Sequence, residues 1–511
     1  MNKKLGINLF TLLYVLDIIF IFIGMVASVY ASTRPGSTPL DDVFSTIFWT
    51  ANIFFGIQSI AYVLNFRRSK SLYPISKENS LVRSMRTKIA MLVPMFNENP
   101  EMIKTNLVAI VNASNELANV YVLDDSTDSS AESTKELCAK LNIPYIHRTN
   151  RHGYKAGALN DVLKVIPEEY VAVMDIDQLP SPNFLRETIP LLDRDPNLAL
   201  VQVPQYYSNL DTGILAHVAD GQQFIFYEIL TEGKSVAGSM FSCGTNVVYR
   251  KKALESVGYF DEGNIVEDIA TSVNMISKGW KTLYYNDKLV FGRAPETMEG
   301  YVNQQYRWAS GSLALLPRIF KQIIFSPSFS MPAKLDWVAS GLWYLYGWFY
   351  FIFLISPILA AAGVRILSIN LITYLIAWVP YSILNMGTFI ITHLDKKATL
   401  KTVYFNMAAN VVVFPISIMA SLGVLFKKKK PFKTARTGGK LPWYKFTPQF
   451  LIMGGLLVSM FILIREGGWY GYVTAFWGAF QFSLILPIFW LNRSPKPSMM
   501  DAQALIHFDL K

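Results

Sequence analysis

Residues 170–178 read YVAVMDIDQ, five largely apolar residues running straight into Asp175 and Asp177. A short, almost wholly apolar run predicts a strand buried on both faces. In an open α/β sheet the carboxyl end of such a strand opens onto the crevice where ligands bind. Two carboxylates one residue apart at that end can share a hard divalent cation whose remaining sites suit a diphosphate. Alone, the tripeptide is equally an Asp-rich polar turn after a strand.

On either side of it, the runs 89–93, 120–123, 144–147 and 199–203 are of the same kind and alternate with helical stretches. That alternation predicts a mostly parallel sheet covered by helices on both faces, in a soluble unit from about residue 65 to residue 334. The flanks differ. Residues 6–30 and 43–64 are apolar for the ~20 residues that a hydrocarbon layer of ~30 Å requires. Lys3, Lys4, Arg67, Arg68 and Lys70 mark their cytoplasmic ends by the positive-inside rule. Further apolar blocks fall at 335–362, 366–391, 403–426, 450–464 and 470–491. The 427–447 loop carries eight Lys or Arg and no acid, so a spanning 403–426 block would put that charge outside. An in-plane or re-entrant helix is therefore expected there, with Asn406, Asn410 and Pro415 within it.

The expected layout is thus two transmembrane helices in 1–64, the soluble domain in 65–334 and two more transmembrane helices in 335–391. An interfacial helix with a basic loop follows in 402–447, then two transmembrane helices in 448–491 and a short cytoplasmic tail in 492–511. Of the 511 residues 52% are hydrophobic, enough for both a soluble core and a membrane part. The net charge of +10 comes in good part from the lysine-rich loop, so membrane topology and anionic lipid account for it and nucleic acid is not expected. Cys138 and Cys243 are the only cysteines and stand in no metal-ligand spacing. The apolar blocks show no evident intramembrane charged pair or inverted repeat, which argues against a transporter.

Other groups join the acidic pair. The first two strands end in Phe96, Asn97 and Glu98 and in Asp124, Asp125 and Ser126. An Asp there can accept the imide N–H of a uracil and an aromatic can lie against a base, although helix capping explains Asp and Ser as well. Lys155 with Gly157 opens a helix, resembling an anion site but lacking a Walker A pattern. Glu267-Asp268 starts another helix; this is dipole complementation or, in Asp268, a general base for a hydroxyl. Gln304-Gln305-x-Arg307-Trp308 lies on a further helix, where Arg can pair with a diphosphate and an indole can lie against a sugar.

In this order, Asp124-Asp125, Lys155-Ala156-Gly157, Asp175-x-Asp177, Glu267-Asp268 and Gln304-Gln305-x-Arg307-Trp308 closely resemble the processive, membrane-integrated family 2 glycosyltransferases. Within that group the chain looks most like cellulose synthase catalytic subunits, with Phe241–Thr245 (FSCGT) and Gly292–Thr297 (GRAPET) as further matching stretches. The resemblance covers roughly residues 88–316 at the level of motifs. It implies a GT-A-like nucleotide-sugar transferase domain inserted between transmembrane helices. It implies that Phe96, Glu98, Asp124 and Asp125 hold a uridine, that Lys155 and Asp175 meet the nucleotide sugar, and that Asp175 and Asp177 bind Mg²⁺ or Mn²⁺. Asp268 becomes the base, Gln304, Gln305 and Arg307 hold the leaving UDP, Trp308 stacks on the acceptor, and Cys243 and Gly244 line the acceptor end.

The activity so implied is polymerisation of a UDP-sugar, first of all UDP-glucose to a β-1,4-glucan, with export of the polymer across the plasma membrane from a cytoplasmic catalytic domain. Mannan, chitin, hyaluronan or β-1,3-glucan synthesis, or single-sugar transfer to a lipid, are the alternatives. The growing polysaccharide, the bilayer and an accessory export subunit are the implied partners. Two departures stand out. The Phe-x-Val-Thr-x-Lys gating pattern is matched only loosely, by Phe432, Thr434 and Arg436. The short tail leaves no room for the C-terminal cyclic-di-GMP domain common in the bacterial members, so that regulation is not expected within this sequence.

Overall fold

A computed structural model describes residues 37–69, 89–114, 117–264, 266–366, 369–395, 398–427 and 439–496, with scattered positions between 12 and 30. Most of the expected first membrane helix, the tail beyond residue 496 and the stretch holding Phe432, Thr434 and Arg436 lie outside the described residues.

In chain order the strands are β1 (Ile89–Met95), β2 (Asn119–Asp124), β3 (Tyr145–His147), β4 (Tyr170–Val173), β5 (Leu179–Pro180), β6 (Leu198–Gln202), β7 (Tyr206–Tyr207), β8 (Val247–Arg250), β9 (Lys281–Tyr284) and β10 (Val290–Gly292). They form a seven-stranded sheet in the order β3-β2-β1-β4-β8-β6-β9 and a three-stranded sheet in the order β5-β10-β7. The first four strands of the large sheet are parallel, as are β6 and β9, while β8 runs antiparallel to both β4 and β6. All five strand runs read from the sequence are present in the large sheet, where β8 and β9 join them.

Strand alternation sends successive side chains to opposite faces, and both faces are covered. Ile89, Met91 and Val93 enter one core with Ile103, Leu107 and Ile110 of the Pro100–Ser114 helix. Ala90 and Leu92 enter the other with Leu159, Val162 and Leu163 of the Tyr154–Leu163 helix. Continuous apolar runs are the chemical consequence of this two-sided burial.

The antiparallel β8 has a positional effect. Val247 pairs with Val173, so the amino end of β8 lies beside the carboxyl end of β4. The loop before β8, residues 241–246, is thereby delivered next to Asp175 and Asp177. Met95 at the end of β1 pairs with Asp124 at the end of β2, which brings those strand ends to the same edge.

Among the described residues, five helices are long and apolar enough to cross a membrane: Pro39–Ser69, Met331–Ala361, Leu371–Asp395, Trp443–Glu466 and Gly468–Leu491. The 403–426 block is a bent pair, Leu400–Val412 and Phe414–Leu425, at 42° to one another, and would make a sixth span if counted as one. Pro415, in the first turn of its second helix, removes a backbone donor at the break. This pair packs on the Met298–Phe325 helix, where a β-carbon on Gly423 would meet the Tyr306 hydroxyl at 2.8 Å.

A buried charged pair ties a membrane-length helix to the soluble domain: Lys234 Nζ lies 2.6 Å from Asp336 Oδ2, with the two side chains 2% and 3% exposed. Asp336 also accepts from Asn65 Nδ2 at 2.6 Å and Ser239 Oγ at 2.7 Å, while Lys234 donates to Ser340 Oγ at 2.7 Å. Each charge is fully engaged, which is the condition for burying it. The network joins the Pro39–Ser69 and Met331–Ala361 helices to the soluble domain.

Candidate active site

Asp175 and Asp177 follow β4 directly and are half-buried. Lys155, from the second residue of the Tyr154–Leu163 helix, reaches Asp175 Oδ1 at 2.5 Å and donates to the Gly244 carbonyl at 3.0 Å. Loss of solvation raises the Asp175 pKa; the Lys155 and Arg307 cations oppose that shift and the Asp177 charge adds to it. Gly157 earns its place by packing, because a β-carbon there would sit 2.0 Å from the His152 carbonyl oxygen.

Glu267 and Asp268 open the Glu267–Ser277 helix. Burial is the main force pushing both carboxyls up from their ordinary range. For Asp268, the Ile269 N–H, which donates to Oδ1 at 2.9 Å, together with the Lys155 and Arg307 cations, pulls the other way. Gly244 has φ +82, and a β-carbon on it would lie 3.1 Å from Asp268 Oδ2. The 241–246 loop is therefore in direct contact with the candidate base. Ser242 N–H donates to Ser272 Oγ at 2.9 Å, and Ser272 Oγ donates to the Asp268 carbonyl at 2.7 Å, which ties loop and helix together.

Gln304, Gln305, Arg307 and Trp308 lie half-buried on the Met298–Phe325 helix. That helix approaches the start of the Glu267–Ser277 helix through Gly311, whose added β-carbon would meet Val266 Cγ1 at 2.7 Å. Arg307 acts electrostatically on both Asp175 and Asp268. Tyr207 connects Gln304 to the acidic pair: burial raises its phenol pKa, a hydrogen bond from Gln223 at 2.7 Å opposes this, and the Asp220 and Asp177 charges and a Gln304 contact also act on it. Asp175, Asp177, Lys155, Asp268, Gly244, Gln304 and Arg307 thus form one constellation. Cys243 borders it; burial, then the Asp268 charge, raises its thiol pKa and keeps it protonated.

The loops after β1 and β2 are tied to each other. Asn97 N–H donates to Ser126 Oγ at 2.8 Å, and Thr127 N–H donates to Asn97 Oδ1 at 2.7 Å. The Asp124 carboxylate is buried and accepts from Ser126 N–H at 2.8 Å and the Tyr145 hydroxyl at 2.9 Å. Asp125 is gripped through both oxygens by Arg148, at 2.9 and 2.5 Å. The Arg151 guanidinium lies 3.9 Å over the Phe96 ring. Phe96, Glu98, Asp124 and Asp125 thus share one strand-end wall, but both Asp side chains already have protein partners. Arg148 and Arg151 were missed in the sequence; their position just after β3 was the available signal.

Among the described residues no group of three or more His, Cys, Asp or Glu side chains gathers as a metal site. The acidic pair fits a cation held jointly with a ligand. Asp177 charge bears on Asp175, and a hard divalent ion would relieve that repulsion while drawing its other oxygens from a diphosphate and water.

Residues 170–386 match the family described as "Glycosyl transferase family group 2". The chain is similar to glucomannan 4-β-mannosyltransferase 2 of Arabidopsis thaliana, 31% identical over 297 residues, 55% of each chain. It is also similar to the cellulose synthase catalytic subunit (UDP-forming) of Xanthomonas axonopodis pv. citri strain 306, 29% identical over 269 residues, 51% of this chain and 36% of that one. The chain spans about half the length of the curated relatives it matches, or less. The mannosyltransferase PcManGT from Pyrobaculum calidifontis, solved with GDP-Man and Mn²⁺, superposes with a TM-score of 0.54 at 20% identity, covering 76% of this chain and all of that one, a likeness of fold. With its mostly parallel sheet and the motif residues gathered at the strand ends, the chain carries a family 2 glycosyltransferase domain of GT-A-like fold.

Proposed function

We propose that the chain is a processive, inverting β-1,4-hexosyltransferase that extends a polysaccharide from a nucleotide-sugar donor and passes it into the bilayer. The convergence of Asp175, Lys155, Arg307 and Asp268 beside the membrane-length helices is the observation that carries this reading. A mannosyl donor is favoured by the glucomannan mannosyltransferase relatives; a glucosyl donor is the second reading, favoured by the cellulose synthase relatives and the motif pattern.

In this mechanism Phe96, Glu98, Asp124 and Asp125 wall the nucleoside, with Arg148 orienting Asp125. Lys155, Gln304, Gln305 and Arg307 hold the diphosphate, and Trp308 stacks beneath the acceptor sugar beside Cys243 and Gly244. The Asp268 carboxylate takes the proton of the acceptor 4-hydroxyl. That oxygen attacks the anomeric carbon and forms the new glycosidic bond as the bond to the diphosphate oxygen breaks, with inversion. The nucleoside diphosphate leaves against the cations, which stabilise its developing charge. Asp175 and Asp177 would hold Mg²⁺ or Mn²⁺, whose Lewis acidity assists the leaving group. The catalytic domain faces the cytoplasm at the plasma membrane.

Purified full-length protein in nanodiscs, given labelled GDP-mannose and UDP-glucose with Mg²⁺ or Mn²⁺, tests the assignment. A polymer cleaved by a β-1,4-mannanase or β-1,4-glucanase identifies the sugar. Asp268→Asn should lose transfer by ~10²-fold or more, the range of general-base catalysis, while nucleotide binding stays. Polymer at the wild-type rate from that variant refutes the base.

A further inference from the structure

Four hydrogen bonds run in one direction from the backbone of Asp175 to the carboxylate of Asp177. The Asp175 N–H donates to Thr245 Oγ1 at 2.9 Å, and the Thr245 hydroxyl donates to Asn246 Oδ1 at 3.1 Å. Asn246 Nδ2 donates to Gln178 Oε1 at 3.4 Å, and Gln178 Nε2 donates to Asp177 Oδ1 at 2.9 Å. Each link fixes the orientation of the next, because an amide that accepts on its oxygen must present its NH₂ on the other side.

The surroundings leave this chain little freedom. Thr245, Asn246 and Gln178 are 8%, 0% and 3% exposed. Asn246 sits at φ +57, a left-handed conformation that Asn tolerates. The backbone beneath is clamped by Gln202 Nε2, which donates to the Thr245 and Asn246 carbonyls at 2.8 and 3.0 Å. On the far side a β-carbon at Gly292 would lie 2.6 Å from Gln178 Oε1, so the amide packs against bare glycine backbone and a side chain at 292 would displace it. Gln178 N–H donates to the Asp175 carbonyl at 2.9 Å, closing the turn that holds both acids.

The geometry points to Gln178, Asn246 and Thr245 as positioning residues that hold Asp177 Oδ1 and thereby set the orientation of that carboxylate for the cation and diphosphate. This rests on the reading of Asp175 and Asp177 as a cation site. Its function is to link the cation site to the 241–246 loop against which Asp268 packs, so that the donor and the base are registered by one set of bonds. Partners that orient a ligating carboxylate typically carry ~10–100-fold in metal affinity.

The test is Mn²⁺ binding to the purified full-length protein, followed by the electron paramagnetic resonance of free Mn²⁺, alone and with GDP or UDP. Gln178→Leu should weaken Mn²⁺ binding ~10-fold or more, with metal-free nucleotide binding unchanged. Thr245→Val should weaken it in the same sense, and Thr245→Ser, which keeps the hydroxyl, should match wild type. Mn²⁺ affinity within twofold of wild type in both Gln178→Leu and Thr245→Val overturns the positioning role and leaves the cation site standing. Wild-type protein that takes up no Mn²⁺ with either nucleotide overturns the cation site, and the positioning role with it.

Discussion

Gly244→Ala is a one-methyl test of where the base sits. Gly244 has φ +82, and its new β-carbon would stand 3.1 Å from Asp268 Oδ2 and 3.6 Å from Asp268 Cγ. A left-handed alanine costs ~1–2 kcal/mol of backbone strain, which a folded domain of this size tolerates. The nearer contact is tight, so the carboxylate must yield by a few tenths of an ångström. Since a misplacement of ~1 Å can cost ~10²-fold in rate, the smaller shift should cost roughly tenfold in kcat. Nucleotide binding should hold, because the Gly244 carbonyl that accepts from Lys155 is unchanged. The methyl also strips water from a carboxyl whose pKa burial already raises. The acid limb of the pH profile should therefore move to higher pH, as the base must be deprotonated to act. Initial rates of labelled sugar incorporation across a pH series, beside nucleotide titration, measure both effects. A variant with wild-type kcat and an unmoved acid limb would refute Asp268 Oδ2 as the proton acceptor.

Two further outcomes follow from the charges. Lys155→Met removes a cation that lowers the Asp268 pKa, so transfer should lose activity at a higher pH than in wild type, and an acid limb shifted downward would contradict that sign. Asp336→Ala leaves the buried Lys234 ammonium without its carboxylate and should destabilise the protein by ~3–5 kcal/mol. The double variant Lys234→Met/Asp336→Leu should unfold later than the single one in thermal melts in detergent; the reverse order would show that the pair is not coupled.

Much of this architecture was legible because two-sided burial writes itself into sequence. Strands β1, β2, β4 and β6 are apolar on both faces, so their runs could be found without knowing their neighbours. The acidic, basic and aromatic members of the site were legible because charge at strand ends and helix starts is chemically conspicuous. What the sequence hid was pairing across distance. β8 is four residues long and antiparallel, and nothing in VVYR announces that it wedges between β4 and β6. Asp336 lies inside an apolar block, and its neutralising partner is 102 residues away.

That same β8 explains why neutral residues were missed and why they matter. Inserting an antiparallel strand into a parallel sheet reverses which end of the chain reaches the ligand edge, so residues before β8, not after it, join the site. Thr245 and Asn246 meet Asp175 and Gln178 across 70 and 68 positions, and Gly244 meets Asp268 by the same route. The Thr245 hydroxyl and the Asn246 and Gln178 amides carry no charge pattern by which to find them, whereas Gly244 was legible only through the matching FSCGT stretch. Their roles depend on β8 pairing in register with Val173, since slipping it by one residue would turn Val247 and every following side chain to the opposite face. The buried valines of β8 therefore hold the site as firmly as its carboxylates do: Val247 and Val248, each 0% exposed, face opposite cores and forbid that slip.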